Sequence, residues 1–184
     1  MLKKNLCGLF AALFAAGFAG CGGGPRTYTV VDGTMLGTTL HVVADVEGVS
    51  SQELYAAVME LDREAKASMS IFDPASLLSR LNRNETDSVD RHIAFNLRLA
   101  DSIGALSGGR YDVTVKPLVE AWGFAGKAAQ AHPNVDSILD FVGREKVRIE
   151  RGRLVKSDPR VQLDFNSVAK GYTVDLLAEL VERF

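Results

Sequence analysis

The chain has 184 residues, with 21 Lys and Arg against 23 Asp and Glu and a formal net charge of −2. That near-balance, without a dense basic patch, excludes a nucleic-acid partner. The length allows one core, hence a single domain or part of one, and two cysteines, Cys7 and Cys21, exclude a disulfide framework.

Residues 1–20 read as a targeting segment. Lys3 and Lys4 form a positive start, and the apolar run Leu6 to Phe18 is shorter than the roughly twenty residues a membrane span needs. Phe18-Ala19-Gly20-Cys21 resembles a bacterial lipobox, although leucine is usual where Phe18 stands. On that reading Cys21 is lipidated after cleavage, and the protein is anchored to a bacterial cell membrane, facing the periplasm or exterior. The alternative is an ordinary secretory signal ending near a cysteine. Residues 21–27, with Gly22, Gly23, Gly24 and Pro25, read as a flexible tether. Residues 28–184 are expected to fold.

Tyr28–Val31 and Thr38–Ala44 are β-rich and flank Asp32–Gly37, which reads as a turn or bulged connection. Ser50 with Glu53 matches a capping box. Leu54, Val58, Leu61 and Ala65 then mark a helix to about Ala67, and Phe72-Asp73-Pro74 ends that region because proline disfavours helix before it. Ser76 to Asn82 reads as a short helical turn and Asn82 to Asp90 as a polar loop. Ile93, Leu97, Ala100 and Ile103 mark a second amphipathic helix stopped at Gly108-Gly109. Val135, Ile138, Leu139 and Val142 suggest a third. Val147–Ile149 and Arg153–Val155 read as a hairpin around Arg151-Gly152. Val161, Leu163 and Phe165 read as a strand ending at Asp164, followed by a helix through Val168, Tyr172, Leu176 and Leu180. Strands and helices mix without strict βαβ alternation, so an α+β fold is expected, a mixed sheet with flanking helices.

The strand-to-helix turn carries the most chemistry. A helix start offers unpaired N–H groups and partial positive charge. Lys170 lies in its first turn and Asp164 just before it, so the turn could hold a phosphorylated ligand together with a metal ion. In Gly109-Arg110-Tyr111-Asp112, Tyr111 could lie against a planar ring and Asp112 could accept hydrogen bonds; a helix cap with a core tyrosine is the plainer reading. Pro117 suits the first turn of a short helix, and Trp122-Gly123-Phe124 reads as core or pocket wall. Met35 beside a strand would ordinarily be core, and Ser70–Pro74 with Ser79–Asn82 a capped loop. The histidines His41, His92 and His132 have no zinc-ligand spacing and read as surface or structural. No glycine-rich phosphate loop of the P-loop type is present.

Taken in order, Met35-Leu36-Gly37-Thr38, Phe72-Asp73-Pro74 with Ser79–Asn82, Gly109–Val119 with Trp122-Gly123-Phe124, and Leu163–Asp175 resemble the FAD:protein FMN transferases, the ApbE-type flavin transferases. The resemblance implies a T-fold-like α+β protein that binds FAD and a divalent metal, usually Mg2+. It implies transfer of FMN onto a threonine or serine hydroxyl of an acceptor flavoprotein, such as a redox-pump subunit or FMN-binding domain, leaving AMP. Carried over by position, Met35, Phe72, Arg110, Tyr111, Asp112, Asp164 and Lys170 contact FAD, and Ser167 lies at the metal. No general base is identified.

The resemblance also implies a departure. Family members are roughly twice as long, and their later half supplies further metal ligands and part of the flavin pocket. The last helix shows no capping signal before Phe184, so the sequence is expected to be the N-terminal portion of such a domain. An FAD pyrophosphatase releasing FMN and AMP, a non-catalytic FAD-binding lipoprotein and an inactive relic are the alternatives.

Overall fold

The computed structural model describes residues 27–184. The expected signal peptide, Cys21 and nearly all of the tether therefore lie outside the described residues.

β1 (Thr29–Met35) and β2 (Thr38–Ala44) pair antiparallel, with Met35 opposite Thr38. Their connection is only Leu36-Gly37, both at positive φ (49° and 72°), the geometry of a two-residue type I′ hairpin. The connection expected over Asp32–Gly37 is thus shorter, because β1 continues through it to Met35. β3 (Val147–Glu150) and β4 (Arg153–Lys156) form a second hairpin, closed by Arg151 and Gly152 at φ 50° and 75°.

Six helices accompany these hairpins among the described residues: α1 (Ser51–Met69), α2 (Leu77–Asn82), α3 (Arg91–Leu106), α4 (Lys116–Ala121), α5 (Val135–Leu139) and α6 (Ala169–Val181). Most begin where a side chain replaces a missing backbone partner. Ser50 and Glu53 form the complete capping box of α1, while Ser76, Asp90 and Asn134 cap α2, α3 and α5. Gly108 and Gly109, at φ 64° and 82°, turn the chain out of α3.

The observed architecture is α+β, built on two antiparallel hairpins; Val115 and Gln162 form a parallel bridge, isolated from any strand. Two apolar clusters share the interior. One joins α1, α2 and α3 to β3–β4 and the segment Val161–Phe165; the other packs β1–β2 on α1. α6 contributes Tyr172 to the first and Leu177 to the second, and Leu36 packs against both. The hairpin turn therefore sits at the seam between clusters.

Val161–Phe165 is not a strand. Its alternate residues Val161, Leu163 and Phe165 are fully buried, but a side chain replaces the neighbouring strand. Asn82 Nδ2 donates to the Leu163 carbonyl at 2.8 Å, and Asn82 Oδ1 accepts the Leu163 N–H at 2.7 Å.

Candidate functional site

That clamp positions Asp164. Its N–H donates to the Val113 carbonyl at 2.8 Å, its Oδ1 accepts the Asn166 N–H at 2.8 Å, and the residue remains 8% exposed. The chain then turns into α6, whose start at Val168-Ala169 has no side-chain cap. The N–H groups of Val168 and Ala169 donate to the Phe165 carbonyl, at 2.9 and 2.7 Å, so the open donors at the start of this 13-residue helix are those of Lys170 and Gly171, which carry its partial positive charge.

This helix start opens onto a cleft of 600 Å³. Asn166, Ala169 and Lys170 form one wall; Leu36 and Gly37 of the hairpin turn, the end of α1 (Ala65, Lys66, Met69) and Ser70, Phe72 and Asp73 form the others. Three of the sequence motifs, separated by well over a hundred residues of chain, thus meet around one space. Phe72 stands at the rim, 67% exposed, on a preformed loop. Ser70 Oγ accepts the N–H groups of Phe72 and Asp73, both at 3.1 Å, and Asp73 Oδ1 accepts that of Ala75 at 2.8 Å. An aromatic face, a lysine and an open helix start in one cleft suit a ligand with both a planar ring and phosphates.

The other candidate residues take different positions. Met35 is buried in the second cluster, and its neighbours Leu36 and Gly37 line the cleft in its place. Tyr111 OH lies 2.8 Å from Ser167 Oγ, which brings the segment after α3 to the start of α6. Asp112 Oδ1 accepts from the backbone and hydroxyl of Thr114, both at 2.7 Å, and Asp112 lines a separate 470 Å³ cleft between α3 and β3–β4. Arg110 is exposed, its guanidinium 3.4 Å from the Ser107 carbonyl. Trp122 and Phe124 are largely exposed rather than core.

The α1 wall of the cleft (Ala65, Lys66, Met69) and the buried Asp62 behind it have no counterpart in the motifs. Asp62, in α1, accepts the Leu36 N–H at Oδ1 (2.8 Å) and the Lys66 ammonium at Oδ2 (2.5 Å). The signal was a carboxylate four residues after Val58 on the stripe that buries Leu54, Val58 and Ala65.

Among the histidines, His92 is structural, 2% exposed. Its Nδ1 lies 2.9 Å from Tyr172 OH and its Nε2 3.0 Å from Glu64 Oε1, so it ties α3 to α6 and α1. The hydrogen bond from His92, then that from Arg91, holds the Glu64 carboxyl below its ordinary range. Phe95 stacks on the Tyr172 ring at 4.6 Å, and burial pushes the Tyr172 phenol up. This network fixes α6, and with it Lys170, against α1 and α3.

Among the described residues no three His, Cys, Asp or Glu side chains converge as a metal cage. Asp164 and the Ser167 hydroxyl alone fit only a hard cation held mostly by ligand phosphates and water, the mode magnesium favours.

The α+β scaffold thus brings an aromatic, a lysine and a helix start without a side-chain cap to one cleft. The chain belongs to the ApbE family, whose sequence model matches residues 36–184. It is 30% identical to the FAD:protein FMN transferase of Haemophilus influenzae, over 99% of this chain and 57% of that protein. It is 28% identical to the enzyme of the same name from Escherichia coli, over 95% and 54% respectively. Among solved structures, the flavin transferase ApbE of Vibrio cholerae superposes with a TM-score of 0.80 at 28% identity, covering 86% of this chain and 54% of that one. The ApbE protein of Thermotoga maritima shares the fold, with a TM-score of 0.74 at 23% identity over 84% of this chain and 52% of its own. The chain spans about half the length of the curated relatives it matches.

Proposed function

We propose that this chain carries the FAD-binding portion of a transferase that moves FMN from FAD onto a threonine or serine hydroxyl of an acceptor flavoprotein. The observation that carries the reading is the single cleft shared by Phe72, Lys170 and the uncapped start of α6. The name borne by the relatives supports it.

In this reading the acceptor oxygen attacks the phosphorus on the FMN side of the diphosphate. The P–O bond to AMP breaks, AMP leaves, and the hydroxyl proton passes to a base or to water. Charge builds on the phosphoryl oxygens, so donors aimed there lower the barrier. The Lys170 ammonium and the backbone N–H groups of Lys170 and Gly171 supply them. Asp164, held by Val113 and Asn166, either hydrogen-bonds the ligand or orients a metal shell with Ser167. Magnesium, as part of the proposal, would neutralise phosphate charge at Asp164 and Ser167. Tyr111, joined to Ser167, and Phe72 would flank the planar ring.

The test is incubation of the chain with FAD, magnesium and an acceptor domain. Transfer raises the acceptor mass by FMN less water and releases AMP. An FAD pyrophosphatase would instead release both FMN and AMP, and FAD binding without turnover would mark a non-catalytic flavin protein.

We also propose that Cys21 is lipidated and anchors the protein to the bacterial cell membrane, facing the periplasm or exterior. Palmitate labelling in a bacterial host should be lost in Cys21→Ala; labelling that survives the substitution would contradict the anchor.

A further inference from the structure

Lys66 projects from the last turn of α1 into the cleft that holds Lys170 and Phe72. Its ammonium sits 2.5 Å from Asp62 Oδ2, and the other oxygen of that carboxylate is engaged by the Leu36 N–H at 2.8 Å. The two partners differ sharply in environment: the Asp62 side chain is 10% exposed, that of Lys66 47%. The carboxylate is therefore the fixed member, anchored between α1 and the hairpin turn, and it holds the ammonium at the cleft surface. An ammonium has three donors. One is engaged by Asp62, which leaves two open on a residue that lines the cleft.

Resting on the reading of this cleft as an FAD site, we propose that Lys66 is a second phosphate-binding cation, positioned by Asp62. It and Lys170, presented from α1 and α6, grip the diphosphate bridge of FAD. The charge of the ligand favours this. A dinucleotide diphosphate carries two negative charges; Lys170 matches one, and the α6 start contributes only about half a unit. Lys66, whose charge is shared with Asp62, adds N–H donors to the bridge rather than a full unit of charge. Because Asp62 already fixes the side chain, less rotamer freedom is lost when phosphate arrives than for a free surface lysine. Asp73, the acidic residue lining the cleft, has one oxygen turned to the Ala75 N–H of its own loop. A surface i,i+4 ion pair would by contrast contribute little beyond a few tenths of a kilocalorie to α1, and would leave ligand binding untouched.

The experiment compares binding of FAD and of riboflavin, which lacks phosphate, by the parent chain, Lys66→Gln and Lys66→Arg, with thermal unfolding of each. Lys66→Gln should weaken FAD binding about tenfold, the scale of one charge-assisted hydrogen bond. Riboflavin binding should be unchanged, and Lys66→Arg should restore most of the FAD affinity. Equal FAD affinity in parent and Lys66→Gln would overturn the role of Lys66 while leaving the cleft reading intact. So would a parallel loss for FAD and riboflavin accompanied by a lowered melting temperature, which marks a structural role. If the parent itself binds no FAD, the reading of the cleft falls and the inference with it.

Discussion

Leu36 keeps a left-handed backbone, φ 49°, that a leucine adopts at a cost of roughly 1 kcal/mol. The conformation persists because Asp62 takes its N–H and both apolar clusters hold its side chain. Strain of this kind collects where a fold presents backbone to a ligand, and here it lies on the wall of the cleft. Lys156 is the other residue whose environment has a measurable consequence. Its ammonium donates to the Leu81 carbonyl at 2.7 Å and to Asn84 Oδ1 at 2.9 Å, closing the end of α2. Burial lowers its pKa from 10.5 to about 8. Between those values the unfolded chain retains a proton the folded chain has shed, so stability from this group rises with pH across that window. Below about 8 both states hold the proton and the burial penalty is complete. The unfolding free energy of the parent relative to Lys156→Gln should therefore increase from pH 7.5 to roughly 10.5. A difference that stays flat or falls across that range contradicts the assignment.

At the scale of elements, Gly104 is informative because it sits inside α3, where glycine costs about 1 kcal/mol relative to alanine. A Cβ there would lie 2.9 Å from Arg144 Cδ and 3.0 Å from the Tyr111 carbonyl oxygen. The arginine can move, but the carbonyl belongs to the backbone that aims Tyr111 at Ser167. Gly104→Ala is thus expected to lose about 1–3 kcal/mol to overpacking despite its better propensity. A denaturant titration showing stabilisation would refute this. The same elements show what a sequence makes legible. Ser50 with Glu53, Gly108-Gly109 and Arg151-Gly152 announced their caps and turns because each acts on backbone within a few residues. Val161–Phe165 misled because alternating apolar residues mark two-sided burial, which a strand and an Asn82-clamped segment satisfy equally. The hairpin turn was read too long because Leu36, unlike glycine, gives no sign that it will adopt positive φ.

For the whole molecule, the site arises where two apolar clusters meet. β1–β2 belongs to one, Val161–Phe165 to the other, and α1 and α6 bridge them. That is why Leu36, Phe72 and Lys170 converge although the chain separates them widely, and why ordered motifs carried more of the site than local patterning did. Asp62 escaped notice for the same reason: its hydrogen bond to the hairpin turn is tertiary, and Lys66 gains its place through Asp62. The chain spans about half the length of those relatives, and it supplies the cleft wall formed by α1, the hairpin turn and the start of α6. In the proposed function this wall recognises the phosphates of FAD through the start of α6. That recognition is tested most directly by FAD titration of the parent chain, Asp164→Ala and Lys170→Ala, with their melting temperatures recorded alongside. Lys170→Ala is expected to lose at least tenfold in FAD affinity without loss of fold, and Asp164→Ala to lose affinity as well. FAD affinity unchanged in both variants would contradict that recognition.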